Sequence, residues 1–401
     1  MPIRSSPNLV PFTVAQTGEC VKVEGDPGTG KSATIAAFAK ACGWHMHTLV
    51  GSLLQPTDFA VPYPDDARRH LRMLSADWVG MFQTLEEGLL FMDELHDCAP
   101  AQQTPIQRIM QERVVGDDAL PPGLRMITAC NSVELSTNGN DLSPPLANRM
   151  GHYPWEVDKE AWERGMLNGG KFPPPDFVVL PEDWWEFAPK HMALVAAFHR
   201  HLPGRENMMP KERSKRSGPW PSQRTWYKGA IAMAAMESID AEPALWYRAL
   251  NGFVGDDVGL EYQAWHAALD LPDPEAWLAL AADFRSRNPQ SGERLALEIP
   301  DRGDKVLAVL AGLVDRVKNH SVDPDTGQIS EPRWLAGIDC CAAVAENWRE
   351  PAMMAAADLF GAIKGGDSKG GGQRFLHLVS QVPADFAKEC GELLRNIRSA
   401  G

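Results

Sequence analysis

A glycine-rich stretch near the amino terminus carries the residue types that bind phosphate. It reads "GDPGTGKS" over residues 25–32 and has the form G-x-x-x-x-G-K-S. It follows a stretch typical of a buried strand and precedes a helical pattern. Glycines let successive backbone N–H groups point at phosphate oxygens, and the start of the following helix adds a partial positive charge. The stretch therefore predicts a phosphate site.

In this interpretation the Lys31 ammonium reaches the β- and γ-phosphates of ATP, and the Ser32 hydroxyl ligates Mg²⁺. The alternative is a chance match in a glycine-rich chain, but the strand–loop–helix context argues against it. The predicted nucleotide contacts are Gly25, Asp26, Pro27, Gly28, Thr29, Gly30, Lys31, Ser32 and Ala33.

Two adjacent carboxylates end an apolar strand pattern in "LLFMDELHD", residues 89–97. Hydrolysis of a nucleotide needs both. Asp93 would hold the hydrated Mg²⁺, and Glu94 would act as the general base on the attacking water. An ordinary acidic strand end is the alternative.

Three further polar residues fit the same chemistry. Asn131 ends the apolar pattern "ITACN" and would orient the water, although an asparagine also starts turns. Arg149, in "SPPLANRMG", would neutralise charge on the transferred phosphoryl group, at an edge where a neighbouring subunit's ATP is expected. Arg224, in the first turn of a predicted helix, would bind an anionic ligand. The alternative for both arginines is a solvated surface position.

The elements that must position these residues alternate between strand and helix up to about residue 155, which predicts a parallel sheet wrapped by helices. A linker rich in proline and glycine follows at about 168–185. Beyond it the pattern is almost entirely helical. We predict an α/β nucleotide-binding domain at 1–168, a helical lid at 185–272 and a helical C-terminal domain at 273–401.

Composition limits the classes of partner. The chain has 401 residues, seven cysteines and a formal net charge of -14, with pI about 5.3. An acidic protein disfavours unspecific nucleic-acid binding, so the basic run at 210–228 is read as a charged loop. The pair His45 and His47 is read as core or sheet-edge packing and not as a metal site. No signal peptide and no membrane span are expected, which favours the cytoplasm.

These motifs, in this order, resemble the AAA+ ATPases and specifically the MoxR branch over roughly residues 10–270. The resemblance identifies Asn131 as the first sensor, Arg149 as the arginine finger and Arg224 as the second sensor. Residues 110–131 are similar to the hairpin before the first sensor. His96 departs from the pattern, since MoxR proteins commonly carry asparagine there. The resemblance implies a P-loop AAA+ module with a helical lid.

The same resemblance implies binding of ATP and Mg²⁺ in a ring, usually a hexamer, with ATP at the subunit interfaces. It also implies a chaperone-like remodeller of a protein client, often with a von Willebrand factor A-type partner. Two alternatives stay open from the residues: a nucleotide-gated assembly scaffold with little turnover, and a nucleic-acid motor.

Overall fold

The computed structural model describes residues 8–65, 70–131, 140–173, 175–269, 271–287, 295–322, 328–364, 376–382, 386–388 and 390. The chain divides into two compact units. The sheet unit comprises 1–188 and 204–263, and the helical unit comprises 189–203 and 264–401. The division into lid and C-terminal domain stays a prediction, and residues 391–401 of the predicted C-terminal domain lie outside the described part.

The sheet unit is built on five parallel strands in the order β2-β5-β8-β1-β9. This confirms the predicted parallel sheet. Parallel strands place all their carboxyl ends at one edge of the sheet, here called the carboxyl edge, and all their amino ends at the opposite amino edge. The strands are β1 (Cys20–Glu24), β2 (Met46–Val50), β5 (Glu87–Asp93), β8 (Gly123–Cys130) and β9 (Met150–Pro154).

Helices cover both faces of this sheet, as the apolar strands require. On one face Phe12 and Phe38 pack with ring centroids 4.6 Å apart. On the other, Leu90 and Met126 share a buried core with Ile106. The helices of this part are α1 (Leu9–Gln16), α2 (Lys31–Ala41), α3 (Asp77–Leu85), α4 (Pro100–Glu112), α5 (Pro144–Ala147) and α6 (Lys159–Leu167).

Two antiparallel hairpins are inserted between these elements: β3 (Ala60–Asp65) with β4 (His70–Ser75), and β6 (Val114–Val115) with β7 (Asp118–Ala119). They are joined to each other, because the Asp117 N–H donates to the Met73 carbonyl at 3.0 Å and the Met73 N–H donates to the Asp117 carboxylate at 2.9 Å. The second hairpin lies within residues 110–131, where the resemblance predicts one.

The sheet unit also contains α8 (Gln223–Ser238) and α9 (Pro243–Val254) and most of α10 (Asp256–Ala267). Ser222 caps α8, since its hydroxyl accepts the Thr225 N–H at 3.2 Å and its own N–H donates to the Thr225 hydroxyl. This confirms the predicted helix start and places Arg224 in the first turn.

The helical unit contains most of α7 (Ala188–His201) and the end of α10. Further helices follow in the chain. Trp334 is fully buried in its core, where its ring packs against Phe360 at 5.1 Å. Cys340 and Cys341 are buried there as well, in a packing role. Within the described residues, no helix combines the length and hydropathy needed to cross a membrane. These helices are α11 (Pro274–Arg287), α12 (Gly303–Asn319), α13 (Glu331–Ala345) and α14 (Arg349–Lys364).

Candidate nucleotide site

The glycine-rich loop connects β1 to α2 at the carboxyl edge. Gly28 and Gly30 have φ of 76° and 83°, a left-handed backbone that favours glycine. Gly25 is constrained in a different way, since a Cβ there would lie 2.9 Å from the Cβ of Trp155. The Trp155 indole N–H also donates to the Thr29 carbonyl at 3.3 Å. Trp155, which the sequence analysis did not select, therefore supports the loop from β9.

Lys31 begins α2 and is only 7% exposed. Its ammonium donates to the carbonyls of Gly25 and Asp26 at 2.8 Å each and to Asn131 Oδ1 at 3.0 Å. Burial lowers its pKa, an effect that the charge of nearby Asp93 opposes. An ammonium held among neutral oxygens keeps its capacity to bind an anion, so this position fits a phosphate group.

The carboxylate strand β5 brings its last residue to the same place. The Ser32 hydroxyl donates to Asp93 Oδ2 at 2.7 Å. A hydroxyl and a carboxylate side by side are oxygen ligands of the kind that Mg²⁺ binds. Ser32 and the rest of the predicted phosphate contacts, except the buried Lys31, are at least partly exposed at this edge. The donor set therefore fits Mg²⁺ bound with a nucleotide.

Glu94 follows β5 with a left-handed backbone, φ 55° and ψ 45°. Its carboxylate accepts a hydrogen bond from the Ser52 hydroxyl at 2.7 Å. The backbone comes close as well, since a Cβ at Gly51 would lie 2.2 Å from the Glu94 carbonyl oxygen. Ser52 was missed by the sequence analysis. The available signal was its position just after β2, which is the next strand to β5 in the sheet.

Asn131 directly follows β8, between β5 and β1 in the sheet. Its side chain meets Lys31, as described above. Five of the predicted side chains are thus brought to the carboxyl edge: those of Lys31, Ser32, Asp93, Glu94 and Asn131.

Arg149 lies at the opposite edge, immediately before β9. It is 7% exposed, and its Nε donates to Gln111 Oε1 at 3.0 Å. Its two terminal nitrogens donate to Gln111 Oε1 and to the Pro145 carbonyl. Burial lowers the pKa of Arg149, and the charge of Arg224 lowers it further. In the single chain the guanidinium is therefore satisfied by neutral oxygens at the end of α4 and in α5.

Arg224 is placed beside Arg149 by the docking of α8. The Ser222 hydroxyl donates to Asn148 Oδ1 at 2.9 Å. One turn further along α8, Lys228 contacts Glu19 and donates to the Arg149 carbonyl at 3.0 Å. Both arginines are therefore at the amino edge. They are separated from the phosphate loop by the length of β1, about 15 Å for five residues.

The remaining sequence candidates are placed away from this chemistry. The His47 ring stacks on Trp78 at 5.6 Å, and the His45 ring lies edge-on to Phe82 at 6.3 Å. In the described part of the chain, no group of three or more metal-ligating side chains could hold a metal ion. In the basic run, Lys215 pairs with Glu212 at 3.2 Å.

Comparison with known proteins assigns the segment that holds the carboxyl-edge residues. Residues 21–152 match the model of the ATPase family associated with various cellular activities (AAA). The acetoin dehydrogenase operon transcriptional activator AcoR of Bacillus subtilis is 29% identical over 161 residues, 36% of this chain. This chain spans about a quarter of that relative, since the alignment covers 25% of its length.

A solved structure from Cytophaga hutchinsonii, described as a "putative ATPase", is 16% identical, with 62% of this chain and 79% of that chain covered and a TM-score of 0.39. The family match itself runs from β1 into β9 and includes Lys31, Ser32, Asp93, Glu94 and Asn131. Residues 21–152, about a third of the chain, are therefore similar to the AAA ATPase family domain.

Proposed function

We propose that this chain is a MoxR-like ATPase that hydrolyses ATP in an oligomeric ring and uses the energy to remodel or activate a protein partner. The observation that carries the proposal is the separation of its charged groups. Groups that fit a nucleotide and Mg²⁺ lie at the carboxyl edge, and two arginines that fit a phosphoryl group lie at the amino edge.

At the carboxyl edge the loop N–H groups and the Lys31 ammonium would hold the phosphates of ATP. Ser32 and Asp93 would hold Mg²⁺, which when bound neutralises phosphate charge. Contacts within the chain support this assignment, because Lys31 donates to Asn131 and to the Asp26 carbonyl, and Ser32 donates to Asp93. Pre-organised charge of this kind favours the transition state.

Glu94 is the group that would take a proton from the attacking water. Its contact with Ser52 occupies one side of the carboxylate and fixes its direction. Asn131 would present its amide to the water or to the γ-phosphate. Its oxygen accepts from Lys31, and the NH₂ group of an asparagine is a hydrogen-bond donor.

The arginines complete the reaction from a second chain in this proposal. Arg149 lies about 15 Å along the sheet from its own phosphate loop, given the rise of a β-strand. A change in side-chain conformation does not carry the Arg149 guanidinium along the length of the strand to the phosphate loop of its own chain. A ring in which the amino edge of one subunit faces the carboxyl edge of the next would place Arg149 and Arg224 together at one γ-phosphate. To act there, Arg149 has to leave Gln111.

A ring of this type works on another protein, its client. The resemblance to MoxR proteins points to a protein client, with a von Willebrand factor A-type adaptor as a candidate, and to a hexamer in the cytoplasm. The net charge of -14 disfavours the nucleic-acid motor. A complete set of hydrolytic residues disfavours the passive scaffold.

Subunit mixing tests the proposal. The Arg149→Ala and Glu94→Gln variants each lack one half of every interface, so each alone should hydrolyse ATP very slowly. When they are mixed, some interfaces combine an intact Glu94 with an intact Arg149 from the neighbour. We expect part of the ATPase activity to return on mixing, measured as phosphate release.

The matched control mixes Glu94→Gln with Lys31→Ala. Both substitutions remove groups of the same edge, so no interface contains a complete carboxyl edge and no activity should return. If exchanging subunits of Arg149→Ala and Glu94→Gln recover nothing, or if wild-type protein hydrolyses ATP as a monomer, the proposed arrangement is wrong.

A further inference from the structure

One row of the central sheet is polar although the core around it is apolar. Lys22 on β1 pairs in register with Thr128 on β8 and with His152 on β9. Their exposed fractions are 3%, 0% and 9%. His96, 2% exposed, comes from the turn after β5. A buried lysine is unfavourable unless its charge is paired and hydrogen-bonded.

The Lys22 ammonium joins two groups from different segments. It donates to Glu24 Oε2 at 2.5 Å and lies 3.4 Å from His96 Nε2. Burial, and then the charge of Lys22, lower the pKa of His96 to about 4, while the carboxylates of Glu24, Asp141 and Asp97 oppose this. The ring is therefore neutral near pH 7, and its Nε2 can accept a hydrogen bond from the Lys22 ammonium.

Each of the two groups flanks a part of the candidate site. Glu24 is the last residue of β1 and directly precedes the phosphate loop, and its carbonyl accepts the Trp155 N–H at 2.7 Å. His96 lies in the turn that Asp97 closes by donating its N–H to the Glu94 carbonyl at 2.9 Å. Lys22 thus connects the loop predicted to hold phosphate with the turn that carries the predicted base.

We propose that Lys22 is a positioning residue for ATP hydrolysis, which fixes the Glu94 turn against the phosphate loop through His96 and Glu24. This inference rests on the proposed function, because it assumes that Glu94 is the base. Lys22 itself contacts none of the predicted phosphate-binding groups in the described residues. Its loss should therefore slow turnover while leaving nucleotide affinity nearly unchanged.

The test is Lys22→Met, which keeps an unbranched side chain of similar length and removes the charge. We expect kcat to fall about tenfold, as for loss of one hydrogen bond to a charged group, with ATP affinity changed by less than about twofold. Thr128→Val is the matched control. It is the register partner, is equally buried and makes no hydrogen bond to Glu24 or His96 among the described residues, so kcat should not change.

A double-mutant cycle separates positioning from general destabilisation. His96→Asn breaks the same contact, because asparagine is too short to reach Lys22. If Lys22 acts through His96, adding His96→Asn to Lys22→Met should therefore cause little further loss of kcat, since the contact is already lost. Multiplicative losses, or an unchanged kcat in folded Lys22→Met, overturn the proposal. Should Lys22→Met fail to fold, His96→Asn alone must reproduce the loss of kcat at unchanged affinity, and normal turnover in it overturns the proposal.

Glu94→Gln, measured in parallel, distinguishes the two levels of the argument. Normal turnover in Glu94→Gln overturns Glu94 as the base, the part of the proposed function on which this inference rests, and overturns the inference with it. An inactive Glu94→Gln beside a fully active Lys22→Met overturns only the role of Lys22.

Discussion

The two edges of the central sheet hold charge in different ways. At the carboxyl edge Lys31, Ser32, Asp93 and Asn131 contact one another or the loop, so cations and anions are balanced within one chain. At the amino edge Arg149 is bound to a neutral carboxamide, and Arg224 lies close enough to lower its pKa. The carboxyl edge is an organised site. The amino edge holds two arginines, and among the described contacts of Arg149 there is no carboxylate.

In a ring, the two edges would divide the work between neighbouring chains. Two neighbouring guanidinium groups repel each other, which is unfavourable unless an anion joins them. The carboxyl edge is the place where an anion, the nucleotide phosphate, is predicted to bind. Each edge supplies what the other lacks, and the two cannot meet within one sheet.

Arg149→Ala should have the largest effect. An arginine that stabilises the transferred phosphoryl group from a neighbouring chain contributes about 10³–10⁵ in rate. We expect kcat to fall within that range while ATP binding persists, because all groups of the carboxyl edge remain. The wild-type specific activity should rise with protein concentration as chains assemble, and the variant should lose that rise. Phosphate release over a dilution series measures both.

Arg224→Ala is the companion variant. If both arginines face the same γ-phosphate, Arg224→Ala should weaken the binding of ATP more than the binding of ADP. Arg200→Ala, a substitution in α7, should change the affinity for neither nucleotide. Equal loss of affinity for ATP and ADP would show that Arg224 does not act on the γ-phosphate. Arg149 would then be the one arginine assigned to that phosphate.

Glu94→Gln and Lys31→Ala divide the carboxyl edge itself. Glu94→Gln should still bind ATP, because Lys31, Ser32 and Asp93 remain, but turnover should drop about 10²–10⁴-fold, the contribution of a positioned base. Lys31→Ala should lose nucleotide binding instead. Equilibrium binding of a fluorescent ATP analogue, beside steady-state hydrolysis, separates the two. Near wild-type hydrolysis by Glu94→Gln would contradict the assignment of the base.

Much of the fold was predictable because its signals are local. A buried strand, a glycine loop and a helix start follow one another along the chain at the phosphate site, so chain order alone places Lys31 and Ser32. The Ser222 cap and Arg224 in the first turn of α8 were predictable for the same reason. The sequence also placed Asp93 and Asn131 at strand ends, and parallel strands bring such ends to one edge.

The contacts between distant segments were not predictable in this way. Lys22 lies within an otherwise largely apolar strand, and nothing near it in the chain shows that the His96 ring lies 3.4 Å from its ammonium. Gln111 lies in the last turn of α4, and nothing near it in the chain indicates that it binds Arg149, 38 residues away. Ser52 is a small polar residue after a strand, a position where turns are common. Pairings of this kind depend on tertiary packing, which a single sequence does not encode by spacing.

Ser52→Ala should change kcat less than the other substitutions, and the direction of that change is informative. The Ser52 hydroxyl donates to Glu94 Oε2 at 2.7 Å, and both side chains are open to solvent to some degree, so water can replace part of the bond. A hydrogen bond to a charged group contributes about 1.5–3 kcal/mol when buried, so a loss of up to about tenfold in kcat is the upper expectation here. ATP affinity should not change, since within the described residues the Ser52 hydroxyl donates to Glu94 and to none of the predicted phosphate contacts.

Ser52→Thr is the control, because it retains a hydroxyl at the same position and should keep most of the activity. A slower Ser52→Ala with a normal Ser52→Thr would show that the hydroxyl directs Glu94 towards the attacking water. A faster Ser52→Ala would show the reverse, that Ser52 restrains Glu94 in the single chain and that assembly has to release it. In that case both edges would hold their reactive group in reserve, Glu94 by Ser52 and Arg149 by Gln111. The contrast between an organised carboxyl edge and an amino edge whose arginine has to be released would then be wrong.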